Sequence, residues 1–105
     1  MKIDRIRILV CEPKKNAYSG NLRNTKEAYK RLVGGEYTAE PVDKNTVLIY
    51  NKAMTEKGDT PNRRVGNLIV CGTFFLASAS DNELYEELDV EQIQYYNEIM
   101  GEPEE

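Results

Sequence analysis

Hydrophobic positions along the chain change period in a way that divides it into elements. From Ile3 to Cys11 they alternate: Ile6, Ile8 and Val10 fall on one side, Arg5, Arg7, Leu9 and Cys11 on the other. A period of two in β-branched residues predicts a strand with one buried face, buried on both faces toward its end. Glu12-Pro13 stops it, because proline has no N–H to give to a ladder. Lys14–Asn21 lacks such a pattern and reads as a polar loop with Gly20 and a lone Tyr18. The period then becomes helical: Ala28, Tyr29, Leu32 and Val33 form the buried stripe, and Lys26, Lys30 and Arg31 the wet face. Asn24 or Thr25 caps this helix, Asn24 and Glu27 having capping-box spacing, and Gly34-Gly35 ends it.

Two short runs, Glu36–Val42 and Thr46–Asn51, flank the turn residues Asp43-Lys44-Asn45 and predict a hairpin. Pro41 puts the first run at an edge or ends it, and the more apolar second run lies deeper in the sheet. Lys52–Thr60 is polar and predicts an excursion, or flap, over one end of the sheet. Leu68–Ala77 is the longest apolar run and predicts a central strand buried on both faces, with Gly72 marking a bulge or a close approach to the backbone. After it come two helical segments. Ser80 to Glu83 and Asp89 to Gln92 both have capping spacing, Val90, Ile93, Tyr96 (or Tyr95) and Met100 form a stripe, and Gly101 closes it. The expected order is β-α-β-β-β-α-α: an α+β domain over residues 1–101, with a mixed, largely antiparallel sheet of four to five strands and its helices on one face. Residues 102–105 are an acidic frayed tail.

Charge changes this picture. The formal net charge of −4 hides a split, since all 14 Lys and Arg lie at or before Arg64, among eight acidic residues, and ten acidic residues with no base follow. A basic half can hold a polyanion, and an acidic end can bind a basic partner; a solvated basic helix beside an acidic one explains the split equally. No apolar run reaches the ~18–20 residues that span a bilayer, and Asp4, Arg5 and Arg7 break up the only early apolar stretch. Cys11 and Cys71 each sit inside an apolar run, as buried thiols of a reducing compartment do, so a cytoplasmic protein is expected.

Candidate chemistry is thin. The chain has no histidine, no zinc-ligand spacing, no phosphate-cradling glycine motif and no nucleophile elbow, so neither an enzyme nor a cofactor or metal is expected. Recognition remains. Asn51, Asn62 and one of Arg63 and Arg64 form a candidate anion or nucleotide pocket at the sheet edge, because guanidinium forks onto phosphate and carboxylate. Alternatively, the asparagines bond their own turns while the arginines pair with acidic helices. Tyr18 in the Lys14-Lys15 loop is a second candidate contact. The first function expected is therefore a binding module for a protein or small anionic ligand. The second is nucleic-acid binding through Lys14, Lys15, Lys26, Lys30 and Arg31. A small enzyme using carboxylates or Lys ranks behind both, and no membrane partner is expected.

Several local stretches, taken together, carry a likeness: Glu12-Pro13, Val33-Gly34-Gly35, Tyr50-Asn51, Pro61-Asn62-Arg63, Cys71-Gly72-Thr73-Phe74-Phe75, and Glu91-Gln92-Ile93 with Tyr95 or Tyr96. With these the chain resembles, over nearly its full length, a family of small domains of unknown function from phage and mobile elements of gut Firmicutes. It departs at Ala53-Met54-Thr55, where the family often has a glycine turn. The resemblance implies a stand-alone accessory domain in a bacterial or phage cytoplasm, and brings no activity, cofactor or catalytic residue with it.

Overall fold

A computed structural model describes residues 5–102 of the chain. Residues 3 and 4 of the expected first strand, and 103–105 of the expected tail, lie outside the described part. Seven strands and three helices follow one another: β1 (Arg5–Cys11), β2 (Tyr18–Arg23), α1 (Lys26–Val33), β3 (Tyr37–Pro41), β4 (Thr46–Asn51), α2 (Lys52–Lys57), β5 (Pro61–Val65), β6 (Leu68–Cys71), β7 (Phe74–Ser78) and α3 (Val90–Met100). Five strands form one sheet in the order β2-β1-β7-β4-β3, and β5 pairs with β6 in a separate hairpin. Every pairing is antiparallel, so the sheet is not mixed.

The alternation read in the sequence separates the two faces of the sheet. Ile6, Ile8 and Val10 pack with Tyr29 and Val33 of α1 and with Ile49, Phe75 and Ala77. Leu9 and Cys11 turn to the opposite face, with Leu48, Tyr50, Phe74 and Leu76, beneath Val70 of the hairpin and Leu88, Tyr96 and Met100. Helices therefore cover both faces, not one. The reason is the strand they share: β7 is apolar on both sides and needs a cover on each.

The elements form where local chemistry allows. Thr25, not Asn24, caps α1 by accepting from the Ala28 N–H, and Gly34 closes it in the left-handed region. Asn24 instead bridges two tyrosines, its Nδ2 donating to the Tyr85 carbonyl at 3.0 Å and its Oδ1 accepting from the Tyr29 hydroxyl. Asp89 and Gln92 make the capping box of α3.

Four expectations are corrected. Residues 18–23 are an edge strand and not a loop. The flap contains a short helix, α2, capped by Asn51. Leu68–Ala77 is two strands, because Gly72 at φ +77° turns the chain out of the hairpin and into the central position of the sheet. A Cβ at Gly72 would sit 2.8 Å from Met54 Sδ, so the turn is held from outside as well. Finally, the first of the two C-terminal helices is absent. Residues 80–89 instead run along the sheet, with Ser78 and Glu86 exchanging backbone bonds and the Leu88 N–H donating to the Arg7 carbonyl.

Candidate functional site

β1 and β4 both run antiparallel to β7, so their C-terminal ends meet at one end of the sheet. The turn after β1, the helix α2 and the hairpin β5–β6 gather there. Asn51, Asn62 and Arg63 all lie at this end and all are buried.

Their polar atoms are engaged within the chain. Asn51 Oδ1 accepts from the Met54 N–H at 3.0 Å, and its Nδ2 donates to the Val33 carbonyl at 3.3 Å. Asn62 Nδ2 donates to the carbonyls of Cys11 and Gly72, both at 2.9 Å, while its Oδ1 accepts from Arg63 Nη1 at 2.5 Å. Arg63 is only 2% exposed. Its Nη1 also donates to the Glu12 carbonyl at 3.2 Å, and Nη2 donates to the carbonyls of Lys15 at 2.5 Å and Gly101 at 3.3 Å. No carboxylate among the described residues pairs with it.

A buried guanidinium without an anion needs another source of negative potential. Carbonyl oxygens supply it. One of them, Gly101 O, lies at the C-terminal end of α3, where the unsatisfied carbonyls carry the negative pole of the helix. The arrangement is a clamp. Arg63 ties the β5–β6 hairpin to the turn after β1 and to the end of α3, and Asn62 ties it to β1 and Gly72. Within that turn Lys14 has φ +64°, a strained value for a lysine, and Arg63 bonds carbonyls on both sides of it. The Nε of Arg63 is the one buried side-chain polar atom among the described residues without a partner. Burial pushes the neighbouring Cys11 thiol up from 9.0 to about 11, against a smaller opposing pull from Arg63.

The other candidates are placed differently. Arg64 is exposed and makes none of the clamp's bonds, while an irregular register between Pro61 and Arg63 lets the neighbours Asn62 and Arg63 both turn inward. Lys14 and Lys15 are exposed, Lys15 pairing with Glu12 at 3.3 Å. Tyr18 is 45% exposed and its hydroxyl donates to Glu12 at 2.5 Å. Those bonds, Tyr18 first and then Lys15, hold the Glu12 carboxyl below its usual range. Asn62 and Arg63 thus share a site with each other, where every side-chain polar atom but Arg63 Nε bonds within the chain. Arg64 does not join them.

A groove of about 580 Å³ lies instead between β2 and α1. Arg5, Arg23 and Arg31 line it together with Leu22, Ala28 and Leu32. Glu12 and Thr73 close the end nearer the clamp. None of the three arginines pairs with a carboxylate among the described residues, and all three are exposed. Arg5 and Arg23 even stand directly opposite one another across β1 and β2, where like charges repel. Sequence reasoning missed Arg5 and Arg23 because Lys14–Asn21 read as a loop, which hid the strand Tyr18–Arg23. The signal was there in Tyr18, Gly20 and Leu22, which alternate, but Ser19, Gly20 and Asn21 are turn formers and concealed it.

The rest of the surface offers less. A polar hollow of about 470 Å³ near Ser78, Asp89 and Gln92 is floored by groups that bond one another, Gln92 Nε2 donating to Thr46 Oγ1 and Ser78 Oγ to Gln92 Oε1. Among the described residues no cluster of acidic or thiol groups has the composition of a metal site, and no helix is long and apolar enough to cross a membrane.

The family model of a domain of unknown function, DUF3846, matches residues 6–101, and the chain belongs to that family. No curated protein and no solved structure matches it.

Proposed function

We propose that this DUF3846 protein is a non-enzymatic binding module whose anionic partner, an acidic protein segment or a small anionic ligand, is held in the groove between β2 and α1. The single observation that carries the reading is the set Arg5, Arg23 and Arg31, three exposed arginines that line one groove and have no carboxylate partner among the described residues. Guanidinium keeps its charge at any physiological pH and forks onto carboxylate or phosphate. The apolar walls from Leu22, Ala28 and Leu32 add the contact area that an anion alone would lack. The module belongs, on this reading, to the accessory proteins of phage or mobile elements and works in the cytoplasm. Its two free, buried cysteines support a reducing compartment.

Nucleic acid as the partner draws less support. Of the five contacts expected for it, Lys15, Lys26 and Lys30 are already paired, with Glu12, Glu83 and Glu36.

The test is a thermal-shift series with anionic compounds, from simple phosphates and dicarboxylates to acidic peptides, on the protein and on its Arg23→Glu and Arg31→Glu variants. A native-state ligand raises the melting temperature by mass action. The expected result is a shift that both variants lose. Shifts that survive in both variants, or no shift with any anion, would remove the groove from consideration.

A further inference from the structure

We infer that the groove takes an acidic peptide in extended conformation, added as a sixth strand along the open edge of β2; this rests on the anion-binding reading of the same groove and names its occupant.

Three observations converge on it. First, β2 is an edge of the five-stranded sheet, so one side of its backbone has no partner strand. Natural sheets block such edges with proline, inward charges or a cover, because unpaired N–H and C=O groups recruit other chains. The opposite edge, β3, is blocked in this way, ending in Glu40-Pro41. β2 is Tyr-Ser-Gly-Asn-Leu-Arg and contains neither a proline nor an acid.

Second, α1 follows β2 directly and runs beside it, leaving the groove between them. A strand added to β2 would project alternate side chains into that groove, against Leu22, Ala28 and Leu32. The other set, on the opposite face of the sheet, would be the acidic one and would meet Arg23 and Arg5, which the register puts on that face. A duplex or a globular anion uses the charges but has no use for an open strand edge.

Third, Gly20 sits in the middle of β2, opposite Ile8 and on the same side as Leu22. Glycine weakens a strand and is kept where another backbone or ligand comes close. The protein's own packing does not require it. A Cβ there would meet only Val10 Cγ2 at 3.7 Å and the Tyr18 ring at 3.8 Å, which are ordinary contacts, and the residue has no positive φ. What the missing side chain does keep clear is the sheet face beside Val10 and Tyr18, over which a neighbouring strand's side chains would lie.

The experiment uses the whole protein and a synthetic peptide of about eight residues, a strand's length, alternating Val and Glu. A Val/Lys peptide of the same length and a single-stranded oligonucleotide serve as comparisons. Amide resonances and amide hydrogen exchange are followed during titration. Expected are binding of the acidic peptide alone, slowed exchange at amides of Tyr18–Arg23, and a loss of affinity of at least about tenfold in Arg23→Glu. Gly20→Val is expected to melt no lower than the parent yet to lose at least about tenfold in affinity. Acidic-peptide binding that perturbs Arg23 and Arg31 but leaves exchange along β2 unchanged would overturn strand addition while the anion groove stands. So would an oligonucleotide that displaces the peptide. Absence of binding by every anion would overturn both.

Discussion

Two sets of arginines in this chain have opposite fates. Arg63 is buried and donates to the carbonyls of Glu12, Lys15 and Gly101. Arg5, Arg23 and Arg31 are exposed around a groove, two of them directly opposed, and pair with no carboxylate among the described residues. The difference shows what separates a structural cation from a recognition cation. A buried arginine must have its hydrogen bonds met inside the fold, and a helix end can replace the missing carboxylate. An exposed arginine that pairs with no carboxylate among the described residues and faces a like charge adds little to folding, so its use is sought outside the chain.

The largest effect expected from this contrast is at Arg63. Its replacement by Ala leaves the Lys15 carbonyl and Asn62 Oδ1 without their donor, takes one of two donors from the carbonyls of Glu12 and Gly101, and empties a large buried volume. By analogy with other broken buried charge networks, the loss is roughly 3–5 kcal/mol. That is a large part of the total stability of a domain this size. Arg63→Lys keeps the charge but cannot fork onto several carbonyls at once, so an intermediate loss is expected. Urea unfolding measures both. If Arg63→Ala unfolds within ~1 kcal/mol of the parent, the clamp is not structural and the contrast fails.

The thiol beside the clamp provides a second measurement. Burial raises the Cys11 pKa from 9.0 to about 11, so the native state holds its proton where the unfolded chain has released it. The resulting contribution is fully present below pH 9 and falls away as pH rises toward 11. It amounts to something of order 2 kcal/mol over that window. Cys11→Val, which fills nearly the same space, should flatten this part of the stability-versus-pH curve. An unchanged slope would mean that Cys11 is not as enclosed as the packing around Arg63 requires.

Gly72 tests the same region through the backbone. It accepts from Asn62 and turns the chain at φ +77°, with no room for a Cβ next to Met54 Sδ. Gly72→Ala should lose about 1–2 kcal/mol from the left-handed conformation, plus a clash. Adding Met54→Ala should return only the second part, because the backbone strain stays. Full recovery in the double variant would show that the dihedral angle is not the constraint.

Legibility of the sequence followed the same division. The hairpin of β3 and β4 and the caps at Gly34 and Asp89 could be read because each rests on chemistry within a few residues, whereas the sheet was expected to be mixed and is wholly antiparallel. Helices on both faces could not be read. That arrangement depends on which side of β7 each helix reaches, and residues on both sides of β7 are apolar. Pro61-Asn62-Arg63 stood out for its polarity beside an apolar run, yet that contrast arises because the polar groups serve backbone carbonyls at the end of the sheet. Its partners, Glu12, Lys15 and Gly101, are each more than 35 residues away, beyond any local pattern. Arg23 was hidden for the reverse reason, since its strand has the composition of a loop.

The smallest effect carries the most weight for the contrast. Arg23 faces Arg5 across β1 and β2, and a like-charge pair in directly opposite positions opposes folding. Threonine suits a half-exposed strand position better than arginine and removes the repulsion. Arg23→Thr is therefore expected to stabilise the protein by roughly 0.2–1 kcal/mol while weakening anion binding in the groove. Urea unfolding at low and at moderate salt reads the first part, and the gain should shrink as salt screens the pair. A gain in stability coupled to a loss of affinity is the mark of a residue kept for a partner at the expense of the fold. A loss of stability instead would make Arg23 a second Arg63, and would leave Arg31 alone to hold the groove's charge against α1.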